Sequence, residues 1–214
     1  MDSRLTDSLT YYGTTTVGLV YTDGVVFSTD TRVTMARFVA HKKGKKVYKI
    51  DDHLGMTVAG TVADAQNVVD ILRYYANIYK LERKMAIPVK ATARLASNVF
   101  FSSRLFPYIT NVLIGGYDNI GASIFNVNLF GALTKEKFVS TGSGSPIAYG
   151  ILESEYHNDI TMEEGMKISI KAVTSAMRRD AMSGDNFDLV IVNKDGYKEI
   201  YDEEKKRILN KVYG

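Results

Sequence analysis

Two runs of β-branched and aromatic residues, separated by Asp23-Gly24, most constrain how this chain folds. The first run covers residues 16–22 and the second covers residues 25–29. An Asp-Gly pair between two such runs is a strong signal for a β-hairpin. Thr14 therefore lies at the start of a predicted strand. The thirteen residues before it are mostly polar and share none of this pattern.

A break in the chain between Gly13 and Thr14 would place a hydroxyl and a free amine on one residue. A threonine hydroxyl is a weak nucleophile until a base removes its proton, and the residue's own α-amino group can be that base. The reference pKa of an α-amino group, about 7.7–8.0, is close to working pH. Threonine-rich strand starts are also common in proteins without such chemistry, so this stretch alone leaves both interpretations open.

The composition is that of an ordinary soluble protein and excludes several classes of function. The 214 residues are 45% hydrophobic and 24% charged, which suits one domain with a sizeable core. A formal charge of +3 is too small to indicate nucleic-acid binding. There is no cysteine, and the three histidines (His41, His53 and His157) lack metal-site spacing. Without a signal peptide or an apolar run of about 20 residues, we expect a cytoplasmic protein with no metal, cofactor or membrane partner.

Beyond the hairpin, blocks of strands alternate with pairs of helices. Asp30 to Thr34 is predicted to be a polar turn. Strands are predicted at residues 38–41, 47–50, 55–59, 111–117, 122–128, 129–134, 137–140, 187–192 and 197–201. Helices are predicted at residues 62–85, 88–104, 145–157, 161–182 and 202–212, the fourth starting with a Thr161 to Glu164 capping box. This order indicates an α+β fold in which two stacked antiparallel sheets lie between two helix layers.

Six short stretches, in order along the chain, carry a resemblance to a known family. They are residues 13–18 (GTTTVG), 29–32 (TDTR), 44–46 (GKK), 59–60 (AG), 140–145 (STGSGS) and 179–184 (RDAMSG). From Gly13 onward the chain resembles the β-subunits of 20S proteasomes, most closely the archaeal type, which are N-terminal nucleophile hydrolases. The resemblance implies the four-layer α-β-β-α sandwich of that superfamily. It also implies a propeptide, residues 1–13, that autocleavage removes from a single peptidase domain, residues 14–214.

By this resemblance Thr14 is the nucleophile, exposed by cleavage after Gly13. Lys46 is the buried lysine beside the nucleophile, and Asp30 is the carboxylate partner of that lysine. An ammonium close to the hydroxyl favours its alkoxide-like form. Without the resemblance, the composition favours a solvated basic turn for residues 42–46 and an ordinary turn residue at the end of a strand for Asp30.

Four further residues take catalytic roles only through the resemblance. The backbone N–H of Gly60 becomes the oxyanion donor, at a place where a side chain would crowd the substrate; the alternative is an ordinary tight turn between strand and helix. Ser143, Asp180 and Ser183 become the set that positions the amine of Thr14 and a proton-shuttling water. Their alternative role is that of polar residues in a Gly-Ser loop and at a helix end.

The resemblance also predicts a pocket for the substrate side chain that precedes the scissile bond. Its lining residues are Val33, Thr34, Gly44, Tyr48, Val58 and Val62, which could equally be ordinary core residues. Val58 at the floor, with no charged neighbour, favours large apolar side chains over acidic ones. Lys45 is the nearby cation that would reverse this preference if its side chain reached the pocket.

The function implied is that of a threonine endopeptidase that degrades unfolded polypeptides to short peptides. It would work in stacked heptameric rings of α- and β-subunits, served by a regulatory ATPase that acts through the α-ring. A non-catalytic ring subunit with the same fold is the alternative, because family members without the nucleophile are common. This chain keeps Gly13, Thr14, Asp30 and Lys46, which favours the peptidase. A superfamily amidohydrolase with an N-terminal serine or cysteine is remote, since the position is threonine.

Overall fold

The computed structural model describes residues 13–35 and 38–213, which form twelve strands and five helices. The strands are β1 (Thr16–Tyr21), β2 (Gly24–Asp30), β3 (Val33–Met35), β4 (Phe38–His41), β5 (Val47–Asp51), β6 (Leu54–Gly60), β7 (Thr110–Asp118), β8 (Gly121–Val127), β9 (Leu133–Glu136), β10 (Phe138–Thr141), β11 (Phe187–Asn193) and β12 (Gly196–Glu199). The helices are α1 (Val62–Arg83), α2 (Val89–Ser102), α3 (Ser145–Glu155), α4 (Met162–Met177) and α5 (Asp202–Tyr213).

Ten of these strands form two five-stranded antiparallel sheets. The first has the order β10-β1-β2-β11-β12 and the second has the order β5-β6-β7-β8-β9. The predicted hairpin is confirmed: β1 and β2 pair through a turn at Thr22 and Asp23, with Thr16 opposite Thr29. Short strands β3 and β4 form a separate pair beside them.

The two sheets pack face to face through a buried apolar layer. Val25 and Phe27 of β2 meet Leu113 of β7 and Ile124 of β8 in this layer. Because successive side chains of a strand point to opposite faces, Val26 of the same strand points the other way, into the core under the helices. The central sheets are therefore apolar on both faces, as stacking between two helix layers requires.

Each sheet is covered on its outer face by helices. Helices α1 and α2 cover the second sheet through a core that includes Leu72, Ala96 and Phe100. Helices α3, α4 and α5 cover the first sheet through Leu152, Ile170 and other apolar residues. The predicted α+β four-layer sandwich of two stacked antiparallel sheets is thus confirmed. None of these five helices is both long enough and apolar enough to span a bilayer.

Two strand predictions were wrong, for local reasons. Residues 30–34 were expected to be a turn, yet Asp30 ends β2 and a strand starts at Val33, paired with β4. Residues 129–134 were expected to be a strand, yet the strand in this region, β9, starts only at Leu133 and ends at Glu136. The chain turns first because the Asn128 carboxamide oxygen accepts hydrogen bonds from the N–H groups of Phe130 and Ala132.

The helix starts follow the predicted signals, whereas four helices end early. The capping box between Thr161 and Glu164 is present and begins α4. Helix α4 ends at Met177 instead of residue 182, so that residues 178–186 form a loop. Helices α1, α2 and α3 each end two residues before the predicted end, and Lys84 after α1 has a left-handed conformation. The loop after α4 carries two of the predicted catalytic residues.

Candidate active site

A buried ion pair joins the two sheets at one end of the sandwich. Asp30 is the last residue of β2 in the first sheet, and Lys46 directly precedes β5 of the second. The Lys46 ammonium lies 2.8 Å from Asp30 Oδ1, and their side chains are 8% and 0% exposed. The predicted partnership of these two residues is therefore present in the structure, and the interpretation of Lys46 as one more solvated lysine does not fit its burial.

The Asp30 carboxylate accepts four hydrogen bonds. Its Oδ1 receives the Lys46 ammonium and the Thr15 N–H, the latter at 2.9 Å. Its Oδ2 receives the N–H groups of Arg32 and Gly184, both at 3.1 Å. A carboxylate with two donors on each oxygen has a fixed orientation, and so does the lysine bound to it.

Burial dominates the electrostatics of this pair. It raises the pKa of the Asp30 carboxyl above its ordinary value, against the opposing charge and hydrogen bonds of Lys46. It lowers the pKa of the Lys46 ammonium, against the opposing charge of Asp30. Both shifts disfavour the charged form in the folded state. Burying these two charged groups therefore costs folding free energy, and such perturbed ionisable groups are typical of functional sites.

Thr14 directly precedes Thr15, whose N–H binds Asp30, and it belongs to a second polar network. Its backbone nitrogen donates to Ser143 Oγ at 3.2 Å, and the Ser143 hydroxyl donates to Asp180 Oδ2 at 2.6 Å. In the uncleaved chain this nitrogen is an amide and occupies the place that a free α-amino group would take. The predicted residues Ser143 and Asp180 are therefore brought together against the nitrogen of Thr14.

The third predicted member, Ser183, joins the same carboxylate from the other side. Its hydroxyl donates to Asp180 Oδ2 at 2.6 Å and lies 2.7 Å from Thr15 Oγ1. Since the only hydroxyl hydrogen of Ser183 is used on Asp180, Thr15 is the donor in this second contact. Thr15 thereby links the two networks, because its N–H donates to Asp30.

Gly60 ends β6 and has a conformation that side chains rarely adopt, with φ at +149°. A Cβ at this position would lie 2.1 Å from the carbonyl oxygen of Ile109. That oxygen is fixed by the Thr61 N–H at 2.9 Å and cannot easily move away. The resemblance implies a glycine here because a side chain would crowd the substrate. The structure adds a reason that holds without any substrate, namely the collision with Ile109.

The junction residue Gly13 is buried and its N–H donates to Thr34 Oγ1 at 3.4 Å. A Cβ on Gly13 would lie 1.7 Å from the Cβ of Met182. This close approach to the loop that carries Asp180 and Ser183 is the visible reason for a glycine here. The rest of the predicted propeptide, residues 1–12, lies outside the described residues.

A cavity of about 720 Å³ opens beside Thr14, Lys46 and Gly60. All six residues predicted for the substrate pocket line this cavity: Val33, Thr34, Gly44, Tyr48, Val58 and Val62. Val58 is largely buried. The nucleophile candidate, the lysine and the predicted pocket therefore face one common space.

The charged residues that line this cavity are all cationic. They are Arg32, Lys43, Lys45 and Lys46, and among the residues described no aspartate or glutamate lines it. Three of the four have a carboxylate partner: Lys45 binds Glu199 at 2.6 Å, and Arg32 and Lys46 bind Asp185 and Asp30. The Lys45 ammonium is thus paired with Glu199, which makes it less available to pair with an acidic side chain of a bound substrate.

Several contributors to the site have no signal in a single sequence. The N–H groups of Thr15, Arg32 and Gly184 hold Asp30, but any residue except proline supplies a backbone N–H. The Arg32–Asp185 ion pair joins residues that are 153 positions apart. The run Thr14-Thr15-Thr16, with three hydroxyls at a strand start, was the one available indication of Thr15.

We found no grouping suited to a metal ion in residues 13–35 and 38–213, where no three His, Asp or Glu side chains converge. The polar side chains described around Thr14 and Lys46 carry hydroxyl, carboxylate and ammonium groups. Together with a free α-amino group, groups of these kinds can activate a threonine hydroxyl.

Comparison with known proteins places this site in a family. The family model described as "Proteasome subunit" matches residues 10–192. "Proteasome subunit beta" of Methanocaldococcus jannaschii is 48% identical over 202 residues, which cover 94% of this chain and 90% of that protein. "Proteasome subunit beta" of Methanococcus aeolicus is 48% identical over 203 residues, covering 94% of each chain. "Proteasome subunit beta 2" of Nitrosopumilus maritimus is 46% identical over 198 residues, covering 92% of this chain and 94% of that protein.

These similarities extend over nearly the whole chain and include each element that supplies a residue to the site. The fold described above is consistent with the sandwich of N-terminal nucleophile hydrolases. The chain therefore belongs to the proteasome subunit family, and within it to the β-subunits of archaeal type.

Proposed function

We propose that this protein is a catalytic β-subunit of a proteasome core particle, a threonine-type endopeptidase with Thr14 as its nucleophile. The observation that carries the proposal is that Thr14, the buried Lys46 and Gly60 line one cavity, while the Thr14 nitrogen is bound to Ser143. A subunit that served only to build a ring would have no need of the buried Asp30–Lys46 pair, whose groups are both desolvated.

The proposed reaction begins with attack of the Thr14 hydroxyl on the Gly13 carbonyl, which breaks the Gly13–Thr14 amide bond and forms an ester on Thr14 Oγ1. Water hydrolyses this ester, so that residues 1–13 leave with a carboxylate and Thr14 keeps its hydroxyl and a free α-amino group. In peptide hydrolysis Thr14 Oγ1 then attacks the substrate carbonyl carbon, and its proton passes to the α-amino group. The tetrahedral intermediate collapses to an ester on Thr14 as the amine product leaves with a proton. Water then hydrolyses that ester, and Thr14 recovers its hydroxyl.

Each neighbouring group has a defined part in this scheme. The Lys46 charge favours the alkoxide-like form of Thr14, and Asp30 holds that charge in place. The Gly60 N–H stabilises the oxyanion, a type of contact worth about 10²–10³ in rate. Ser143, Ser183 and Asp180 orient the amine and the proton-shuttling water.

By analogy with the β-subunits to which it is similar, we propose that the chain assembles with α-subunits into stacked heptameric rings in the cytoplasm. Unfolded polypeptides would be its substrates, and a regulatory ATPase would deliver them through the α-ring. The apolar lining around Val58 supports cleavage after large apolar residues, a chymotrypsin-like preference.

The test is peptidase activity of the subunit co-assembled with the α-subunit of the same organism. We expect hydrolysis of fluorogenic peptides and of an unfolded protein by wild type, and none by Thr14→Ala particles. Thr14→Ser, which keeps a hydroxyl, should retain part of the activity. Fully assembled wild-type particles without any peptidase activity would contradict the proposal and support the alternative, a structural ring subunit.

A further inference from the structure

The guanidinium of Arg32 ties the turn after β2 to the loop after α4. Its Nε donates to Asp185 Oδ2 at 2.8 Å, and its Nη1 donates to the carbonyl oxygen of Ala181 at 2.9 Å. These partners lie on either side of Ser183 in the loop. One rigid side chain therefore fixes the loop at two points that enclose a predicted catalytic residue.

The same two segments meet on the buried carboxylate of Asp30. The Arg32 N–H and the Gly184 N–H both donate to its Oδ2, at 3.1 Å each. The guanidinium also packs against Gly184, where a Cβ would lie 2.4 Å from Arg32 Nη2. Displacement of the guanidinium would thus disturb one of the four donors that orient Asp30, and through Asp30 the ammonium of Lys46.

The ion pair also supports an unusual backbone conformation. Asp185 has a φ of +68°, in the left-handed region that residues other than glycine seldom occupy. Such a residue persists when its surroundings hold it in place. The salt bridge to Arg32 is one contact that does so, and the side chains of Arg32 and Asp185 are 24% and 18% exposed.

We propose that Arg32 and Asp185 are a positioning pair, which holds the loop bearing Asp180 and Ser183 in register with Asp30 and Lys46. This inference rests on the proposed threonine peptidase function and adds two residues to its machinery. Neither residue acts on the substrate in this role. The pair sets the placement of the Lys46 ammonium relative to the hydroxyl network of Ser143 and Ser183.

The test compares Asp185→Asn, Arg32→Lys and Arg32→Gln with wild type, each co-assembled with the α-subunit. Asp185 does not line the substrate cavity. Asp185→Asn should therefore lower kcat per processed subunit, on the order of tenfold, while KM stays nearly constant, because small misplacements of reacting groups are costly. Arg32→Lys should also have a lower kcat than wild type, since lysine keeps the charge but lacks the two fixed N–H donors of the guanidinium.

A double variant and a matched control complete the design. Arg32→Gln/Asp185→Asn should be no slower than the slower single variant, because both changes remove one interaction. Arg73→Gln is the control: this arginine likewise donates to a carbonyl, that of Lys49, but from helix α1 and outside the cavity. It should leave kcat unchanged.

The outcomes separate this inference from the function on which it rests. If wild-type particles are active and the kcat of Asp185→Asn is within twofold of the wild-type value, the positioning role alone is overturned. Additive losses in the double variant would overturn it as well. Inactive wild-type particles would overturn the proposed function and the positioning role with it. If Arg32→Gln fails to assemble, the nearly isosteric Asp185→Asn still decides the question.

Discussion

Asp30 and Lys46 form a buried ion pair, 2.8 Å between Oδ1 and Nζ, across the junction of two stacked sheets. Burial raises the pKa of Asp30 and lowers that of Lys46, so folding disfavours the charged form of each group. At any pH where both groups are ionised, these two shifts lower the free energy of unfolding. Its retention is therefore better explained by chemistry than by stability.

The first prediction concerns Lys46 and its neighbours in the basic turn. Lys46→Ala should reduce peptidase activity on the order of 10²-fold or more and should also block removal of residues 1–13, because the charge beside the nucleophile is lost. Lys42→Ala and Lys43→Ala should have little effect, since both side chains are exposed. Activity and intact mass of the three variants in assembled particles provide the measurement. Equal, mild effects at all three positions would mean that the turn is only a solvated surface.

The second prediction is the position of the alkaline limit of activity. Burial lowers the pKa of Lys46 from the ordinary 10.5. As the pH rises through this lowered value, the ammonium loses its proton and the charge near Thr14 disappears. We expect kcat/KM to decline at a pH below 10.5, which a pH–rate profile on a fluorogenic peptide measures. Asp30→Asn should move the decline of its residual activity to still lower pH, because the charge that supports the ammonium is gone. A limit at or above 10.5 would contradict this.

Structural features that depend on neighbouring residues were predicted from the sequence, whereas features that depend on contacts between distant residues were missed. Alternating strands such as β2 and the Thr161 capping box are specified by neighbouring residues, and they were predicted correctly. Strand β3 has three residues and pairs only with β4, so it has no periodicity of its own. The start of strand β9 was misplaced because the Asn128 side chain accepts a hydrogen bond from the Ala132 N–H and so favours a turn over a strand. The pattern of apolar residues does not reveal such a side-chain hydrogen bond.

The candidate site followed the same division. The identities of Thr14, Asp30 and Lys46 came from resemblance, and spacing alone left a solvated lysine turn as an open alternative. Their proximity depends on how β2 of one sheet stacks beside the start of β5 in the other, which no local pattern encodes. The donors that orient Asp30 are backbone N–H groups, and these carry no residue signature.

The third prediction separates the backbone constraint at Gly60 from its proposed catalytic part. In Gly60→Ala the new Cβ would sit on a backbone with a φ of +149° and collide with Ile109. We therefore expect the substitution to lower the free energy of unfolding by about 1–3 kcal/mol or more. Gly150→Ala is the matched control, since Gly150 lies in helix α3 with open space around its Cβ position. There alanine should be neutral or stabilising by about 0.5–1 kcal/mol. Thermal unfolding of the subunit measures both. Equal stability of the two variants would show that the constraint at Gly60 is relieved elsewhere.

The fourth prediction is that the mature subunit begins at Thr14. The hydroxyl that attacks the Gly13 carbonyl belongs to the nucleophile itself, so Thr14→Ala should keep residues 1–13 while assembling normally. Thr22→Ala, a change in the turn between β1 and β2, should be processed as in wild type. Intact mass and N-terminal sequencing of assembled particles are the measurements. Retention of Met1 to Gly13 in fully assembled, peptidase-active wild-type particles would exclude this mode of maturation.

The last prediction concerns which peptide bonds are cut. Apolar side chains such as Val33 and Val58 line the cavity beside Thr14. Apolar surface gains roughly 25 cal/mol per Å² on entering such a pocket, whereas a carboxylate loses hydration unless a cation pairs with it. The Lys45 ammonium already binds Glu199. Cleavage after Leu, Tyr or Phe should therefore be much faster than after Glu or Asp.

Two variants make this preference a test of the pocket itself. Val58→Gly should widen the cavity and shift the preference toward the largest apolar side chains, as fluorogenic peptides that differ only in the residue before the scissile bond will measure. Lys43→Ala serves as the control for charge, because Lys43 lines the same cavity and is exposed. It should not alter the ranking of these peptides. A wild-type preference for Glu that Lys43→Ala abolishes would show that the cationic rim, and not the apolar lining around Val58, selects the substrate.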